Sequence, residues 1–480
     1  MVAGADSAFL LAATAYATYA VALSLLSGVF TRTVTEPYMD EPFHVGQTQM
    51  YCAGQWLEWD PKITTFPGLY IFGVIGAGLR ELAVGFSPTP CDLSTLRAVN
   101  VVPALATPWL LHSLLAALHP STKATDLAAN AAVLSLLPTH FFFHFLYYTD
   151  SFATCSVLLL LLLSMRAHSK KDSVAFLLGR AAAAALAISF RQTNAVWVAF
   201  AAAAGALREM HAHGELEQHA SVGTALSELL LGRAPRLRAE SGTPPAMLTL
   251  IGWLCRRDAL PLLLLVAFVG FVFANGGVVV GDRSNHAMAF HLAQLLYLTG
   301  LASAPFHLPA LTYQLPNTLR AALTSTRAAP RTAAVAVAAV LLAARCTLCH
   351  PFLLADNRHV TFYLWRHLLG RHWLVKYLLT PAHLLLAGLL YPPIYRAQGA
   401  LLTLGLLACS LLVLVPSPLI EPRYLTLPAL LLRLHAPPLQ GARAWLPPLA
   451  AFAASNAATL ALFLLKPYTW GDGSVARFMW

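Results

Sequence analysis

Residues 38–70 of the chain read YMDEPFHVGQTQMYCAGQWLEWDPKITTFPGLY, and they follow a long apolar segment at about residues 8–30. That segment can cross a bilayer, because a helix needs roughly 20 apolar residues to span the hydrocarbon core. Asp40, Glu41 and Asp60 therefore lie just outside a membrane. Water is scarce so close to the hydrocarbon core, and acidic residues there usually mark a site or an ion pair. The stretch 38–70 is thus the first candidate site of the chain.

The overall composition is that of a membrane protein. Of the 480 residues, 58% are hydrophobic and only 11% are charged, whereas soluble domains carry about 25% charged residues. About 12 to 14 stretches are apolar and long enough to span a bilayer by the usual length requirement. The longest polar stretch is only about residues 208–258. The sequence therefore predicts an all-α, polytopic protein with one transmembrane domain over residues 1–480.

The distribution of basic residues predicts the topology. The net charge is +10, and many arginines fall within residues 208–258. We interpret that stretch as a cytoplasmic loop, because cytoplasmic loops are enriched in Lys and Arg. With the N-terminus on the same side, residues 31–94 form the first non-cytoplasmic loop. The polar motifs at 147–150, 190–194 and 281–286 fall on that non-cytoplasmic side too.

A cationic cluster breaks this charge pattern. Residues 350–372 lie on the non-cytoplasmic side by the same alternation, yet they hold three arginines, including Arg358, and four histidines, including His359. The planar fork of arginine suits a phosphate. The alternative is an interfacial segment with Tyr363 and Trp365 at the level of the lipid head groups. The sequence leaves both interpretations open.

The acidic residues of the first loop suggest a chemistry. An enzyme on the non-cytoplasmic side has no direct supply of cytosolic nucleotide sugars, so a sugar on a polyprenyl phosphate is the simpler donor. Its transfer needs a carboxylate to accept the proton of the incoming hydroxyl and cations near the departing phosphate. Adjacent helical residues do not share a face, so we expect one of Asp40 and Glu41 to act as base, with Asp40 favoured. The alternative is that this pair caps a helix N-terminus.

Other charged residues lie singly or in pairs near predicted helix ends, as substrate-binding groups or as structural ion pairs. They are Asp150, Arg191, Asp282, Arg283, Asp356, Arg358, Glu421 and Arg423. Cys52 and Cys91 share one non-cytoplasmic loop, where the compartment permits a disulfide without requiring one. Cys346 and Cys349 form a CxxC pair without a second pair, which favours packing over metal binding.

The polar motifs, taken together and in order, resemble the dolichyl-phosphate-glucose-dependent α-1,2-glucosyltransferase family. The resemblance covers residues 38–424, and it is the set rather than any single motif that is specific. The matching motifs are Tyr38-Met39-Asp40-Glu41, Phe43-His44, Trp59-Asp60-Pro61, Ile63-Thr64-Thr65, Pro67-Gly68-Leu69-Tyr70, Phe145-Leu146-Tyr147-Tyr148-Thr149-Asp150, Phe190-Arg191-Gln192-Thr193-Asn194, Gly281-Asp282, Ser284-Asn285-His286, Leu353-Leu354-Ala355-Asp356-Asn357-Arg358-His359, Thr361-Phe362-Tyr363 and Arg423-Tyr424.

The resemblance implies a multi-pass enzyme of the endoplasmic reticulum membrane, with the C-type glycosyltransferase fold and a lumenal active site. It implies inverting transfer of glucose from dolichyl phosphate glucose, in α-1,2 linkage, onto the diglucosylated lipid-linked oligosaccharide, the last step before N-glycan transfer. The implied partners are the lipid bilayer and these two dolichol-linked substrates. No nucleic acid, cofactor or metal is implied.

The resemblance also implies residue roles. The catalytic base is Asp40 or Glu41, in the first lumenal loop. The candidates for binding the donor phosphate are Arg358, His359, Arg283 and Arg423. The candidates for binding sugar are Trp59, Asp60, Tyr147, Tyr148, Asp150, Arg191, Gln192, Asn194, Asp282 and Asp356. The alternatives are another polyprenyl-phosphate-sugar-dependent transferase of the same fold, a polytopic transporter, or a non-catalytic regulator of other membrane proteins.

Overall fold

The chain is helical nearly throughout the part that the structure, a computed structural model, describes. The described residues are 2–85, 91–166, 174–216, 221–231, 246–281, 288–307, 320, 337–341, 343–344 and 347–480. They form two compact units. The first unit comprises Met1–Ser135, Phe143–Asn285 and Gln398–Gly405, and the second comprises Leu136–Phe142, His286–Ala397 and Leu406–Trp480. The described helices are numbered below in chain order.

The first unit contains most of the long helices. They are α1 (Val2–Thr33), α2 (Glu41–Cys52), α3 (Gly68–Val84), α4 (Leu93–Leu118) and α5 (Ala124–Ser135), and after α6 of the second unit, α7 (Thr149–Arg166), α8 (Val174–Phe190), α9 (Asn194–Ala212), α10 (Val222–Leu231), α11 (Ala246–Arg257) and α12 (Ala259–Asn275). The predicted loop 31–94 thus contains α2 and α3, and the predicted cytoplasmic segment 208–258 contains α10 and α11.

The second unit contains shorter helices and a small hairpin. Its helices are α6 (Pro138–Phe141), α13 (Gln294–Ser303), α14 (Pro351–Ala355), α15 (Val360–Leu364), α16 (Val375–Leu378), α17 (Thr380–Gln398), most of α18 (Ala400–Leu414), α19 (Pro422–His435) and α20 (Ala442–Leu465). The two-residue strands β1 (Tyr468–Thr469) and β2 (Val475–Ala476) pair antiparallel after α20. A π-helical turn, Trp365–Leu369, follows α15.

Five helices of the described residues are long and apolar enough to cross a membrane, or up to seven if each of two bent helix pairs is one span. The five are Ala12–Thr33, Leu93–Leu118, Thr149–Arg166, Val375–Gln398 and Ala442–Leu465. These helices confirm the prediction of an all-α polytopic membrane protein. The estimate of about 12 to 14 spans, made from the apolar length requirement, included residues outside the described ranges and stays a prediction.

A disulfide between Cys52 and Cys91 joins the end of α2 to the residues just before α4. The sequence had left this bond open. It closes a loop with a sequence separation of 39. By lowering the entropy of the unfolded chain, such a loop raises the free energy of unfolding by on the order of 4 kcal/mol in the chain-entropy treatment. Disulfides persist in oxidising compartments, so this bond agrees with a non-cytoplasmic location for residues 31–94.

The start of α4 is fixed by a side-chain cap. The Asp92 carboxylate accepts the backbone N–H of Thr95 at 2.8 Å and the Ser94 hydroxyl at 2.9 Å. Partial burial by itself raises the pKa of Asp92, but these hydrogen bonds and the nearby Arg80 outweigh it and lower the pKa. An ionised Asp at this position also complements the positive end of the helix dipole. The cap and the disulfide together hold the end of α4 that carries Arg97.

Candidate functional site

A buried ion pair lies at the centre of the first loop. Both side chains of the pair, Glu41 and Arg97, are almost completely removed from solvent, with exposures of 0% and 1%. Arg97 donates from Nε to one carboxylate oxygen at 2.8 Å and from Nη2 to the other at 2.5 Å. The backbone N–H groups of Tyr38 and Tyr147 donate to the same carboxylate, each at 2.8 Å. The Glu41 carboxylate therefore joins its own segment to Arg97 of α4 and to the backbone at Tyr147.

Asp40 lies one residue before this ion pair in a different environment. It is partly exposed and precedes α2, but its side chain makes no capping hydrogen bond to that helix. Its backbone N–H donates to the Tyr148 hydroxyl at 2.9 Å. The preceding residue, Met39, has φ +60°, a strained conformation that non-glycine residues keep only where the surroundings enforce it. Asp40 thus occupies the N-cap position of α2 and Glu41 its first turn, as the capping alternative placed them, but the Asp40 side chain makes no capping hydrogen bond.

A second acid, Asp60, belongs to the same region. Burial raises the pKa of the Tyr70 hydroxyl, and the negative charges of Asp60 and Asp40 both add to the effect. Both acids thus contribute to the raised pKa of Tyr70, although less than its burial does. That hydroxyl lies 2.9 Å from Nδ1 of His44. The structure thus places Tyr70 against His44 in the first loop, and a sugar-binding role for Asp60 stays a prediction.

Gln47 holds the loop that carries Trp59 and Asp60. Its amide nitrogen donates to the Glu58 carbonyl at 2.8 Å, and its amide oxygen accepts the backbone N–H of Asp60 at 2.8 Å. The Trp59 ring packs edge-on against Tyr70, with 5.8 Å between ring centroids. Trp59 and Asp60 are each partly exposed. Their side chains therefore remain available as sugar-binding candidates.

The tip between α8 and α9 packs onto the same loop. The Gln192 amide donates to the Thr64 carbonyl at 2.8 Å, and the backbone N–H of Val280 donates to that carbonyl at 3.3 Å. Gly281 has φ +70°, and a Cβ there would meet the carbonyl oxygen of Ile63 at 2.5 Å and that of Pro61 as well. Only glycine fits this close approach without strain. The two predicted site residues that follow, Asp282 and Arg283, lie outside the described residues.

Asp150 and Arg191 form an ion pair within the first unit. Nη2 of Arg191 lies 3.2 Å from Oδ1 of Asp150, and both side chains are largely buried. Asp150 lies in the first turn of α7, where the helix dipole favours an anion. Asn194 donates to the Ala187 carbonyl at 2.9 Å. These contacts are structural, and a sugar-binding role for the three residues stays a prediction.

Tyr147 and Tyr148 are enclosed by protein, with exposures of 0% and 1%. The Tyr147 hydroxyl donates to the Leu69 carbonyl at 2.8 Å, and Tyr148 packs edge-on against His44. Neither ring offers an exposed face to a sugar in this structure. Both hold the backbone in place instead, Tyr147 at the start of α3 and Tyr148 at Asp40.

Sequence reasoning missed two residues of α4. They are Arg97 and Asn100. The side-chain amide of Asn100 donates to the carbonyls of Leu146 at 2.5 Å and Tyr148 at 3.0 Å. A lone Arg and a nearby Asn within an otherwise apolar helix were the available signal, because such groups in membrane helices usually serve a partner. They connect α4 to the Tyr147-Tyr148 motif.

The second unit holds the predicted phosphate-binding motif. Arg358 donates from Nε to Oδ1 of Asp356 at 2.9 Å and from Nη2 to Oδ2 at 2.7 Å, and Nε2 of His359 lies 3.7 Å from Oδ2. Partial burial raises the pKa of Asp356, but the hydrogen bonds from Arg358 and the charges of His359 and Arg358 outweigh it and lower the pKa. Asp356 therefore stays ionised and orients the Arg358 guanidinium through these hydrogen bonds.

A cavity of about 330 Å³ opens beside this cluster. Asp356, Arg358, His359, Glu421 and Trp470 line it together with apolar side chains. Its volume is at the lower end of the range of about 300–1,000 Å³ found for small-molecule sites. The cavity therefore combines an arginine, a histidine, two carboxylates and the rings of Phe352 and Trp470, which is a chemistry suited to a small polar ligand.

Arg423, the other phosphate candidate described here, pairs with Glu421 and lies 5.5 Å from the Tyr424 ring centroid. The sequence had left open whether this couple is structural, and the structure forms it. Over the described residues, no group of three or more His, Cys, Asp and Glu side chains is arranged to hold a metal ion.

The chain is similar over nearly its whole length to several curated proteins. The model of the DIE2/ALG10 family matches residues 34–434. Three relatives carry the name Dol-P-Glc:Glc(2)Man(9)GlcNAc(2)-PP-Dol alpha-1,2-glucosyltransferase. The Rattus norvegicus protein is 33% identical over 95% of this chain and 96% of its own, the Arabidopsis thaliana protein 32% over 95% and 97%, and the Homo sapiens protein 31% over 95% and 96%. No solved structure matches. The chain belongs to the DIE2/ALG10 family.

Proposed function

We propose that this protein transfers glucose from dolichyl phosphate glucose, in α-1,2 linkage, onto the diglucosylated lipid-linked oligosaccharide. The observation that carries the proposal is full-length similarity to relatives from mammals and a plant that bear the name of this activity. The membrane helices fit lipid-linked substrates. The runner-up is transfer of another sugar from a polyprenyl phosphate by an enzyme of the same fold.

We assign the role of base to Asp40. The partly exposed Asp40 carboxylate does not cap α2, and its backbone is anchored by Tyr148. The neighbouring Glu41 carboxylate, by contrast, is buried and accepts four hydrogen bonds. Asp40 would accept the proton of the acceptor hydroxyl as its oxygen attacks C1 of glucose. The C1–O bond to phosphate breaks, dolichyl phosphate leaves, and the anomeric configuration inverts.

Arg358 and His359 are the cations that we propose for the donor phosphate. Both line the cavity of the second unit; Asp356 orients Arg358, and Nδ1 of His359 lies 2.9 Å from the backbone oxygen of Trp480. Cations held in place before the reaction stabilise the charge that develops on a departing phosphate. No cofactor or metal enters this proposal, since the leaving group carries the activation of the sugar.

We propose that the reaction takes place on the lumenal side of the endoplasmic reticulum membrane. The disulfide between Cys52 and Cys91 supports an oxidising environment for the loop that carries Asp40. The lipid anchors of both proposed substrates fit a site close to a membrane surface.

The test is a transfer assay with purified protein, dolichyl phosphate glucose and a lipid-linked oligosaccharide that carries two glucoses. We expect a product heavier by one hexose, with the new glucose released by an enzyme specific for α-1,2 linkages. Transfer only from a mannose donor, or only to a shorter acceptor, would replace the proposed substrates and keep the reaction class. No transfer with any pair, in protein shown to be folded, would contradict the proposal.

A further inference from the structure

Residues 466–480, here called the strap, pair with the Asp356–His359 motif through their backbone. The strap follows α20 and contains the β1–β2 hairpin. The backbone N–H of Met479 donates to the Arg358 carbonyl at 2.8 Å, and that of Val360 donates to the Met479 carbonyl at 3.0 Å. Nδ1 of His359 lies 2.9 Å from the backbone oxygen of Trp480. The strap is therefore part of the architecture of this motif.

Side chains of the hairpin converge on Asn357, between the two charged residues of the motif. The Asn357 amide oxygen accepts the Tyr468 hydroxyl and the Nε1–H of Trp470, each at 3.0 Å. The turn that follows Trp470 is closed by Asp472, whose carboxylate accepts the backbone N–H of Ser474 at 2.9 Å. The Trp470 indole is thereby fixed in position and orientation.

The Trp470 ring meets Arg358 inside the cavity. The central carbon of the Arg358 guanidinium lies 4.6 Å from the Trp470 ring centroid, within the range of a cation–π contact. Asp356 holds the edge of the same guanidinium through two hydrogen bonds. A face contact and an edge contact together determine the plane of the guanidinium. Trp470 lines the cavity beside Arg358 as well.

We propose that Trp470 is a positioning residue for the donor, which holds the Arg358 guanidinium in the orientation that receives the lipid-linked phosphate. The inference rests on the proposed function and deepens it by adding the strap to the phosphate site. The family model ends at residue 434, so this residue lies beyond the matched region. Tryptophan is the strongest cation–π partner, and the contact strengthens where water is excluded.

The experiment compares three variants in the transfer assay and in equilibrium binding of dolichyl phosphate, the leaving group. Trp470→Leu removes the aromatic face, and Trp470→Phe keeps a face but loses the hydrogen bond to Asn357. Phe478→Leu is the matched control, because it removes an aromatic ring of the same strap that packs on Tyr363. We expect Trp470→Leu to raise the donor KM and the Kd of dolichyl phosphate about fivefold, as for loss of a partly exposed cation–π contact.

The acceptor KM should stay unchanged in Trp470→Leu. The donor KM and the dolichyl phosphate Kd of Trp470→Phe should lie between those of wild type and Trp470→Leu. Phe478→Leu should keep the wild-type donor KM. A merely structural role would not separate donor from acceptor. Wild-type donor KM and dolichyl phosphate Kd in Trp470→Leu would overturn the inference. If Trp470→Leu does not fold, the donor KM and the dolichyl phosphate Kd of Trp470→Phe test the inference instead, and wild-type values would overturn it. If wild-type protein transfers no glucose, the proposed function fails, and binding of dolichyl phosphate alone still decides the role of Trp470.

Discussion

Glu41 and Arg97 form a two-point ion pair, with Nε–O and Nη2–O distances of 2.8 Å and 2.5 Å, in which both side chains are buried. Because the chain also brings the Tyr38 and Tyr147 N–H groups to this carboxylate, the pair joins the start of α2, α4 and the segment before α7. It explains how two adjacent acids acquire different roles. Glu41 organises the loop, while Asp40 is presented beside it.

Removal of Arg97 should destabilise the protein strongly. Arg97→Met leaves the Glu41 carboxylate buried without a counter-charge, which typically costs about 3–5 kcal/mol. The double variant Glu41→Gln/Arg97→Met should recover part of that loss, because it removes the buried charge. Thermal unfolding of the purified variants measures both effects. A single Arg97→Met variant as stable as wild type would show that the pair does not organise the loop.

The close approach of α3 to Tyr147 predicts a packing effect at Gly73. A Cβ at Gly73 would overlap the Tyr147 hydroxyl and lie 2.7 Å from the Thr48 methyl group. Gly73→Ala should therefore destabilise the protein by about 1–3 kcal/mol, as expected for overpacking. The matched control is Gly78→Ala in the same helix, where a Cβ would meet nothing within 4 Å.

Gly78→Ala should be neutral or stabilising, because alanine has the better helix propensity. Equal unfolding temperatures for the two variants would contradict the packing of Tyr147 against α3.

The lowered pKa of Asp356 predicts a pH dependence. A carboxyl whose pKa is lower in the folded state stabilises the protein above its unfolded pKa of about 3.9, and this contribution is lost as pH falls through the folded pKa. Asp356→Asn should therefore be less stable than wild type near neutral pH. The difference should narrow as the pH drops below about 4. Unfolding temperatures of both proteins across this pH range provide the measurement, and a gap that widens toward acid pH would contradict the ion pair with Arg358.

The disulfide should stabilise the folded protein, whereas removal of a free cysteine should have little effect on stability. Loss of a native disulfide typically costs about 2–5 kcal/mol, so Cys52→Ala/Cys91→Ala should unfold at a lower temperature than wild type. Cys255→Ala, which removes an exposed free thiol, should have little effect. Two fewer maleimide-reactive cysteines in non-reduced than in reduced wild-type protein would report the bond directly. Equal counts would show that it does not form.

Much of the fold followed from the sequence because the bilayer imposes simple rules. Long apolar runs such as Leu93–Leu118 and Ala442–Leu465 could form only membrane-compatible helices. A Cys52–Cys91 disulfide was named as possible and left open, since its formation depends on the distance between two helix ends. Residues 208–258 contain two described helices within what had been interpreted as one loop.

The sequence named candidate residues of the site, but it did not predict the contacts between them. Local motifs identified Asp40, Asp60 and Asp356, but the division of roles between Asp40 and Glu41 depends on Arg97, which is 56 residues from Glu41 in sequence. The strap had no motif signal, because Trp470 reaches Arg358 only through a hairpin that forms in the folded chain. Such long-range partners are set by packing, and local sequence patterns carry no record of them.

The most direct test of the account is the rate of glucose transfer by Asp40→Asn, compared with wild type and with Glu58→Gln, an exposed acid of the same loop. The amide keeps the shape of the side chain but cannot accept the proton of the acceptor hydroxyl. We predict that kcat falls at least about 100-fold, the usual contribution of a general base, with an unchanged unfolding temperature and a nearly unchanged donor KM. Glu58→Gln should retain wild-type activity. A wild-type kcat in Asp40→Asn would contradict the assignment of Asp40 as the base.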